Sequence, residues 1–239
     1  MLNNLKILAV IPARGGSKGI PLKNLKKINN IPIVELAARV AKGIKYIDRI
    51  VVSTDHIDIV NAAIKGGAAA PFLRPKDLSG DTISDLEVLT HSLLEMERHD
   101  GCTYDVVVML QPTSPMRTVQ DVIDTIETLV NNNLDAVWTI SETDSKSHPL
   151  KQFSVRNSRL EYYDENGKDI IARQQLDPVY HRNGIAYGIT RDCLINKGSI
   201  KGDNTGYVIC NSNHISIDTE WDLFLVEFMV SNNMIQIGS

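Results

Sequence analysis

Nowhere do the 239 residues hold the roughly 20 consecutive apolar positions that cross a bilayer. The one apolar run near the start, Ile7 to Ile11 before Pro12, is too short for the hydrophobic segment of a secretory leader. A soluble, cytoplasmic protein with no membrane partner is the expectation. Cysteine is equally scarce: Cys102, Cys193 and Cys210 stand far apart with no CxxC or CxxH spacing, which indicates neither a disulfide framework nor a zinc site. There is no cationic excess, because 25 Lys and Arg face 29 Asp and Glu for a net charge of −4. A nucleic-acid partner is therefore not expected, since phosphate backbones are gripped by basic surfaces. With 43% hydrophobic and 23% charged residues the chain can bury one sizeable core, and disorder, collagen and coiled coil fit poorly. One domain spanning residues 1–239 follows.

One absence is local. No Asp or Glu occurs from Met1 to Val34, whereas Lys6, Arg14, Lys18, Lys23, Lys26 and Lys27 all fall there. Setting those six aside leaves 19 cations against 29 acids in the rest of the chain, a balance of −10. A confined anion site on an acidic body is the first functional expectation.

The apolar residues fall into short runs that alternate with helical periodicity. Leu5 to Ile11 reads as a strand buried on both faces, and Arg49 to Ser53, Asp105 to Leu110, Ala136 to Ile140, Ile185 to Ile189 and Tyr207 to Ile209 read as further strands. Helices are predicted at Ile33 to Ile44, Asp58 to Lys65, Ser84 to Arg98, Val119 to Val130, near Cys193, and at Glu220 to Ser231. Ser84 is a candidate N-cap with Glu87 closing a capping box. The alternation predicts an α/β fold with a doubly wound, mostly parallel sheet. Between Ser141 and Gln175 polar residues dominate, and Phe153 to Val155 with Leu160 to Tyr163 read as a small hairpin. Residues 142–175 are thus expected to form an inserted arm, of the kind that mediates dimerisation or closes a site.

Ligands of open α/β sheets bind beyond the carboxyl ends of strands, so Pro12 to Leu25 (PARGGSKGIPLKNL) is the expected site. Gly15, Gly16 and Gly19 let backbone amides approach an anion, and Arg14, Lys18 and Lys23 add charge. Spacing excludes two common phosphate motifs. A Walker loop needs Lys after its last Gly, where Ile20 stands, and the dinucleotide fingerprint needs Gly where Arg14 stands. A tight turn carrying solvated lysines is the alternative.

The run Ile11 to Pro21 (IPARGGSKGIP) followed by Lys23-Asn24 resembles the N-terminal signature of the CMP-sialic acid synthetases, or acylneuraminate cytidylyltransferases. Phe72 to Pro75 (FLRP), Leu110 to Arg117 (LQPTSPMR), Arg173-Gln174, Arg182 to Gly184 and Ile217 to Glu220 (IDTE) match in the same order, over nearly the whole chain. The resemblance implies a Rossmann-like nucleotidyltransferase that transfers CMP from CTP to the anomeric hydroxyl of a nine-carbon 2-keto sugar acid and releases pyrophosphate. It implies Mg²⁺, or Mn²⁺ in its place, and a homodimer whose arms reach across to the partner. By the same resemblance Arg14, Lys23 and Asp218 are the catalytic residues. Ala13, Arg14, Gly15, Gly16, Ser17, Lys23, Asn24, Arg74 and Ser84 hold the nucleotide, with Asn24 and Arg74 against the cytosine. Gln111, Lys151, Arg173, Gln174 and Asn183 bind the sugar acid, whose carboxylate calls for cationic donors.

The metal expectation carries a departure. Members of the family present two aspartates on alternate strand positions, whereas this chain has Ser216 and then Asp218. Asp218 is the one carboxylate metal ligand expected, and a helix N-terminal carboxylate is the alternative for it. A cytidylyltransferase for an eight-carbon 2-keto sugar acid is the nearest rival reading, and a non-catalytic nucleotide-binding module is the rival of another class. No histidine is marked by motif as a general base.

Overall fold

The structure is a computed structural model that describes residues 2, 4–210, 214–235 and 237. Strand β1 (Ile7–Pro12) shows how the core is built. Ile7, Ala9 and Ile11 face one apolar layer with Val34, Ala37 and Val122, while Leu8 and Val10 face a second with Leu89, Leu93 and Met96. A strand covered by helices on both faces must be apolar at every position, which is why it reads as a continuous run rather than an alternation.

After the loop come a two-strand ribbon, β2 (Lys27–Ile28) with β3 (Ile31–Pro32), then α1 (Ile33–Lys42), β4 (Arg49–Ser53), α2 (Ile57–Gly66) and α3 (Asp85–Asp100). Next are β5 (Val106–Met109), α4 (Val119–Asn131), β6 (Ala136–Glu142), and a hairpin of β7 (Phe153–Arg156) and β8 (Arg159–Tyr162). The chain closes with β9 (Tyr180–Thr190), α5 (Arg191–Ile195), β10 (Thr205–Ile209) and α6 (Glu220–Ser231). The six-stranded sheet runs β10-β6-β9-β5-β1-β4. Every pairing is parallel except those of β9, which lies antiparallel between β5 and β6. The expected doubly wound, mostly parallel sheet is present. No helix among the described residues is long and apolar enough to cross a membrane.

Ser84 caps α3 as expected, with Glu87 closing the box, and Thr118 with Asp121 and Thr219 with Asp222 cap α4 and α6 in the same way. The largest difference from expectation is β9, predicted from Ile185. It begins five residues earlier because the exposed Tyr180 to Arg182 pair with Ile140 to Glu142 beyond the buried part of the sheet, where no apolar pattern is required. The hairpin turns at Asn157 and Ser158, both at positive φ (49° and 61°), as a two-residue turn matched to strand twist requires.

A third apolar cluster brings the site's walls together. Ile20 from the glycine loop, Ile28, Ile33, Met116, Ile217 and Val226 pack as one group. Ile217 N also donates to Thr113 O (2.8 Å). Asp218 is thereby held opposite a loop nearly 200 residues earlier in the chain.

Candidate active site

The carboxyl ends of β1, β4 and β5 open into a cavity of about 450 Å³. Arg14, Ser17, Lys23, Asn24, Arg74, Gln111 and Asp218 all line it. These residues come from four separate segments, and the sheet brings them to one crevice.

The glycine loop is shaped by its own hydrogen bonds. Ala13 N donates to Ser53 O (2.9 Å), which continues the strand pairing, and Gly15 N donates to Asp55 Oδ1 (2.8 Å). Gly16 has open space where a side chain would stand, so its backbone is accessible to a ligand. At Gly19 a Cβ would lie 2.8 Å from Asp218 O, so only glycine lets the loop lie against the segment that carries Asp218. Asn24 is buried and its Nδ2 donates to Arg14 O (2.9 Å), fixing the backbone that carries the arginine.

The loop cations are paired with acids from distant segments. Arg14 Nη1 lies 2.8 Å from Asp81 Oδ1, and Lys18 Nζ lies 2.6 Å from Asp81 Oδ2. Lys23 Nζ lies 3.0 Å from Asp218 Oδ1. The hydrogen bond from Lys18, with the charge of Arg14 added, holds the Asp81 carboxyl below the usual carboxylate range. A single carboxylate chelated by two cations occupies the geometry in which a phosphate oxygen pair would be held. Asp218 does not cap α6. That role belongs to Thr219, and Asp222, which closes the capping box, accepts at Oδ2 from Asp218 N (3.0 Å) and Thr219 N (2.7 Å) and so orients the turn carrying Asp218.

Arg74 is buried beneath the cavity wall. Its Nε donates to Ser53 Oγ (3.1 Å), its Nη2 to Ser53 O, and its Nη1 to Leu78 O (3.4 Å). Burial pulls the guanidinium down to about 10, so it stays charged at neutral pH. Asp85 lies nearby, and burial pushes its carboxyl up against the opposing pull of Arg182 and Arg74.

Gln111 stands at the boundary of two hollows. On its far side a second one is lined by Ser84, Asp85, Arg182 and Ser199. Ser84 faces this second hollow rather than the first, and its hydroxyl donates to Glu87 Oε2 (2.7 Å). The floor beneath Gln111 is Gly184, at φ +72°, where a Cβ would collide with Gln111 Oε1 and lie 2.9 Å from Ser114 Oγ. Asn183 is buried and fully engaged: Thr139 Oγ1 (2.6 Å) and Ile185 N (3.1 Å) donate to its Oδ1, and its Nδ2 donates to Ser141 Oγ (2.9 Å). In this chain it supports the Gly184 turn.

The remaining sugar-side residues lie elsewhere within one chain. Arg173 and Gln174 line a separate hollow with His148 and Glu142, which shares no residue with the Gln111 cavity. Lys151 sits on the exposed turn Pro149–Lys151.

A family model described as Cytidylyltransferase matches residues 8–213. The chain belongs to the cytidylyltransferase family. It is 30% identical over 233 residues to the post-translational flagellin modification protein B of Campylobacter coli, covering 97% of each chain. It is 31% identical over 228 residues to the CMP-N,N'-diacetyllegionaminic acid synthase of Campylobacter jejuni, covering 95% of each. Among solved structures, a CMP:2-keto-3-deoxy-manno-octonic acid synthetase complexed with CTP superposes with a TM-score of 0.71 at 19% identity, covering 95% of this chain and 99% of that one. This last likeness concerns the fold.

Three residues of this cytidylyltransferase were not assigned a role from sequence. Asp81 is the partner of the loop cations. Arg182 is the cation beside Gln111. Arg117, fully buried, donates from Nε to Ile185 O and from Nη2 to Gln111 O (2.7 Å) and Gly184 O (3.0 Å). Burial pulls it down to about 9, still protonated at neutral pH, and it clamps the Gln111 backbone to β9. Its signals in the sequence are its place at the end of an otherwise uncharged Pro-rich turn and its position in the matching run Leu110 to Arg117.

Proposed function

We propose that this enzyme transfers the CMP moiety of CTP to the anomeric hydroxyl of a nine-carbon 2-keto sugar acid, with pyrophosphate as the leaving group. The observation that carries this reading is the convergence of Arg14, Lys23, Arg74 and Gln111 on one cavity at the strand ends. Attack by the sugar hydroxyl on the α-phosphorus forms the new P–O bond, breaks the bond to the bridging oxygen that leaves with the β-phosphate and releases the hydroxyl proton to solvent, while negative charge develops on the departing pyrophosphate. Arg14, Lys18 and Lys23, exchanging their carboxylate partners for phosphate oxygens, stabilise that charge where it appears. The Gly16 amide and Ser17 add donors. Arg74 and the side-chain carbonyl of Asn24, whose amide nitrogen is already engaged, present fixed groups to the cytosine. Cytosine offers acceptors at O2 and N3, whereas uracil carries a proton at N3, so an arginine donor favours CTP.

For the acceptor, Gln111 reads sugar hydroxyls and Arg182 lies beside it as a cation for the carboxylate. Lys151, Arg173 and Gln174 serve the same site from the partner's arm in a homodimer. The apolar Val155, Leu160, Tyr163 and Ile171, all exposed on the arm of the single chain, supply a surface for such pairing. A divalent cation fits Asp218, a hard carboxylate on the cavity wall, with Ser216 offering only an exposed hydroxyl nearby. When bound, Mg²⁺ or Mn²⁺ supplies neutralisation of phosphate charge, and one protein carboxylate suffices because substrate phosphates complete its shell. Pyrophosphate release from CTP in the presence of Mg²⁺ and, separately, sialic, legionaminic and pseudaminic acid tests the reading. Release with at least one acid, with UTP a poor substitute, is expected. Binding of CTP without release for any acid would make the chain a nucleotide-binding module instead.

A further inference from the structure

On the α4 side of the sheet, among residues that do not line the cavity, three metal-ligating side chains come together. Asp121 in the first turn of α4, Cys210 just after β10, and His214 each bring one ligand atom to within 4.8 Å of the other two. The sequence spacing pointed away from zinc because it holds no CxxC or CxxH, but the fold adds an aspartate from another element to a Cys and a His four residues apart.

We propose that Asp121, Cys210 and His214 form a zinc-binding site. The side-chain chemistry selects the ion: one thiol, one imidazole and one carboxylate suit Zn²⁺, whereas Mg²⁺ takes oxygen ligands only. Zinc bonds of about 2.0–2.3 Å place tetrahedral ligand atoms on the order of 3.5 Å apart, so the cluster must close by little more than about 1 Å. Both ring nitrogens of His214 are shielded from solvent and have no hydrogen-bond partner among the described residues. That is costly for an imidazole and is relieved when one nitrogen binds a cation. The Asp121 carboxylate is already oriented, because its Oδ2 accepts from Thr118 N (2.8 Å) and Thr118 Oγ1 (2.7 Å), as outer hydrogen bonds orient metal ligands generally. On binding, the Cys210 thiol releases its proton to solvent and the thiolate sulfur bonds the metal. Three protein ligands leave a fourth position for water. The consequence for the fold is a clip that ties the segment leading to Asp218 onto the start of α4.

The test uses the full chain stripped of metal with a chelator. Zn²⁺ is expected to bind with one-to-one stoichiometry in the presence of excess Mg²⁺ and to raise Tm. Co²⁺ substituted for it is expected to show a thiolate-to-cobalt charge-transfer band and tetrahedral d–d bands. Cys210→Ser is expected to remove the charge-transfer band while Cys102→Ser keeps it. His214→Gln, which keeps a polar side chain of similar size, is expected to weaken Zn²⁺ binding by about tenfold or more and to abolish the Tm shift. Absence of the charge-transfer band in the unaltered protein, its persistence in Cys210→Ser, or unchanged Zn²⁺ affinity in His214→Gln would overturn the assignment.

Discussion

Arg14, Lys18 and Lys23 show what a single residue's charge does here. Their clustering was legible in the sequence as an acid-free stretch, and Arg14 and Lys23 do line the cavity. Their partners were not legible, because Asp81 and Asp218 lie 67 and 195 residues from the cations they meet. Arg14→Ala and Lys23→Ala are each expected to lower kcat by roughly one to three orders of magnitude at saturating CTP, since both stabilise charge that grows in the transition state. Full kcat in either variant would remove that residue from the mechanism. Asp81 acts in the opposite sense. It competes with the triphosphate for Arg14 and Lys18, so Asp81→Asn is expected to lower the KM for CTP severalfold while kcat changes little. An unchanged or higher KM would show that the carboxylate assists binding instead. Since its pKa is lowered, Asp81 stays ionised down through the ordinary carboxylate range, and this competition is constant across neutral pH.

Among the elements, β9 carries the most information that the sequence did not display. Its buried half, Ile185 to Ile189, was legible from apolar pattern, but its polar end, Tyr180 to Arg182, is ordered by pairing with β6, and Arg117 holds the junction at Gly184 and Ile185. Gly184 sits at the junction of the halves, directly under Gln111. Gly184→Ala adds a methyl group where there is no room and strains a positive φ. It is expected to raise the KM for the sugar acid with a smaller effect on CTP, and steady-state kinetics with each substrate varied separately would show the split. Equal effects on both would place the damage in the whole cavity. The link between α3 and α5 offers a pH test. Arg191 donates to Glu97 from Nε (2.8 Å) and Nη2 (3.0 Å), and Tyr104 N donates to the same carboxylate (3.1 Å). The hydrogen bonds from Arg191 hold Glu97 below its ordinary range. Its contribution is therefore complete above the ordinary carboxylate range and is lost as pH falls through the lowered folded value. Glu97→Gln is expected to cost about 2 kcal/mol at pH 7 and to leave less acid sensitivity than the unaltered chain shows, as read from denaturant midpoints at pH 7 and pH 3. Parallel loss at both pH values would contradict the assignment.

Across the whole molecule, the net charge of −4 conceals a division of labour. A basic first segment supplies Arg14, Lys18 and Lys23 to the cavity, and the acidic remainder contributes at least Asp81 and Asp218 as their counter-charges. Fold class and strand-end position of the site were readable because buried strands and capped helices leave local patterns. The two hollows around Gln111 depend on how distant segments pack, and the separation of Arg173 and Gln174 from them depends on how the arm folds. Neither leaves a local pattern. If the arm completes the site across a homodimer, deletion of residues 153–168 is expected to yield a monomer by light scattering, and a persistent dimer would refute the arm's role. The central claim is that the cavity joins CMP to a nine-carbon acid. Measurement of kcat/KM for pyrophosphate release with CTP and Mg²⁺, comparing nine-carbon 2-keto sugar acids with the eight-carbon one, tests it most directly. A clear preference for one nine-carbon acid is predicted, and a preference for the eight-carbon acid, or no turnover with any, would contradict it.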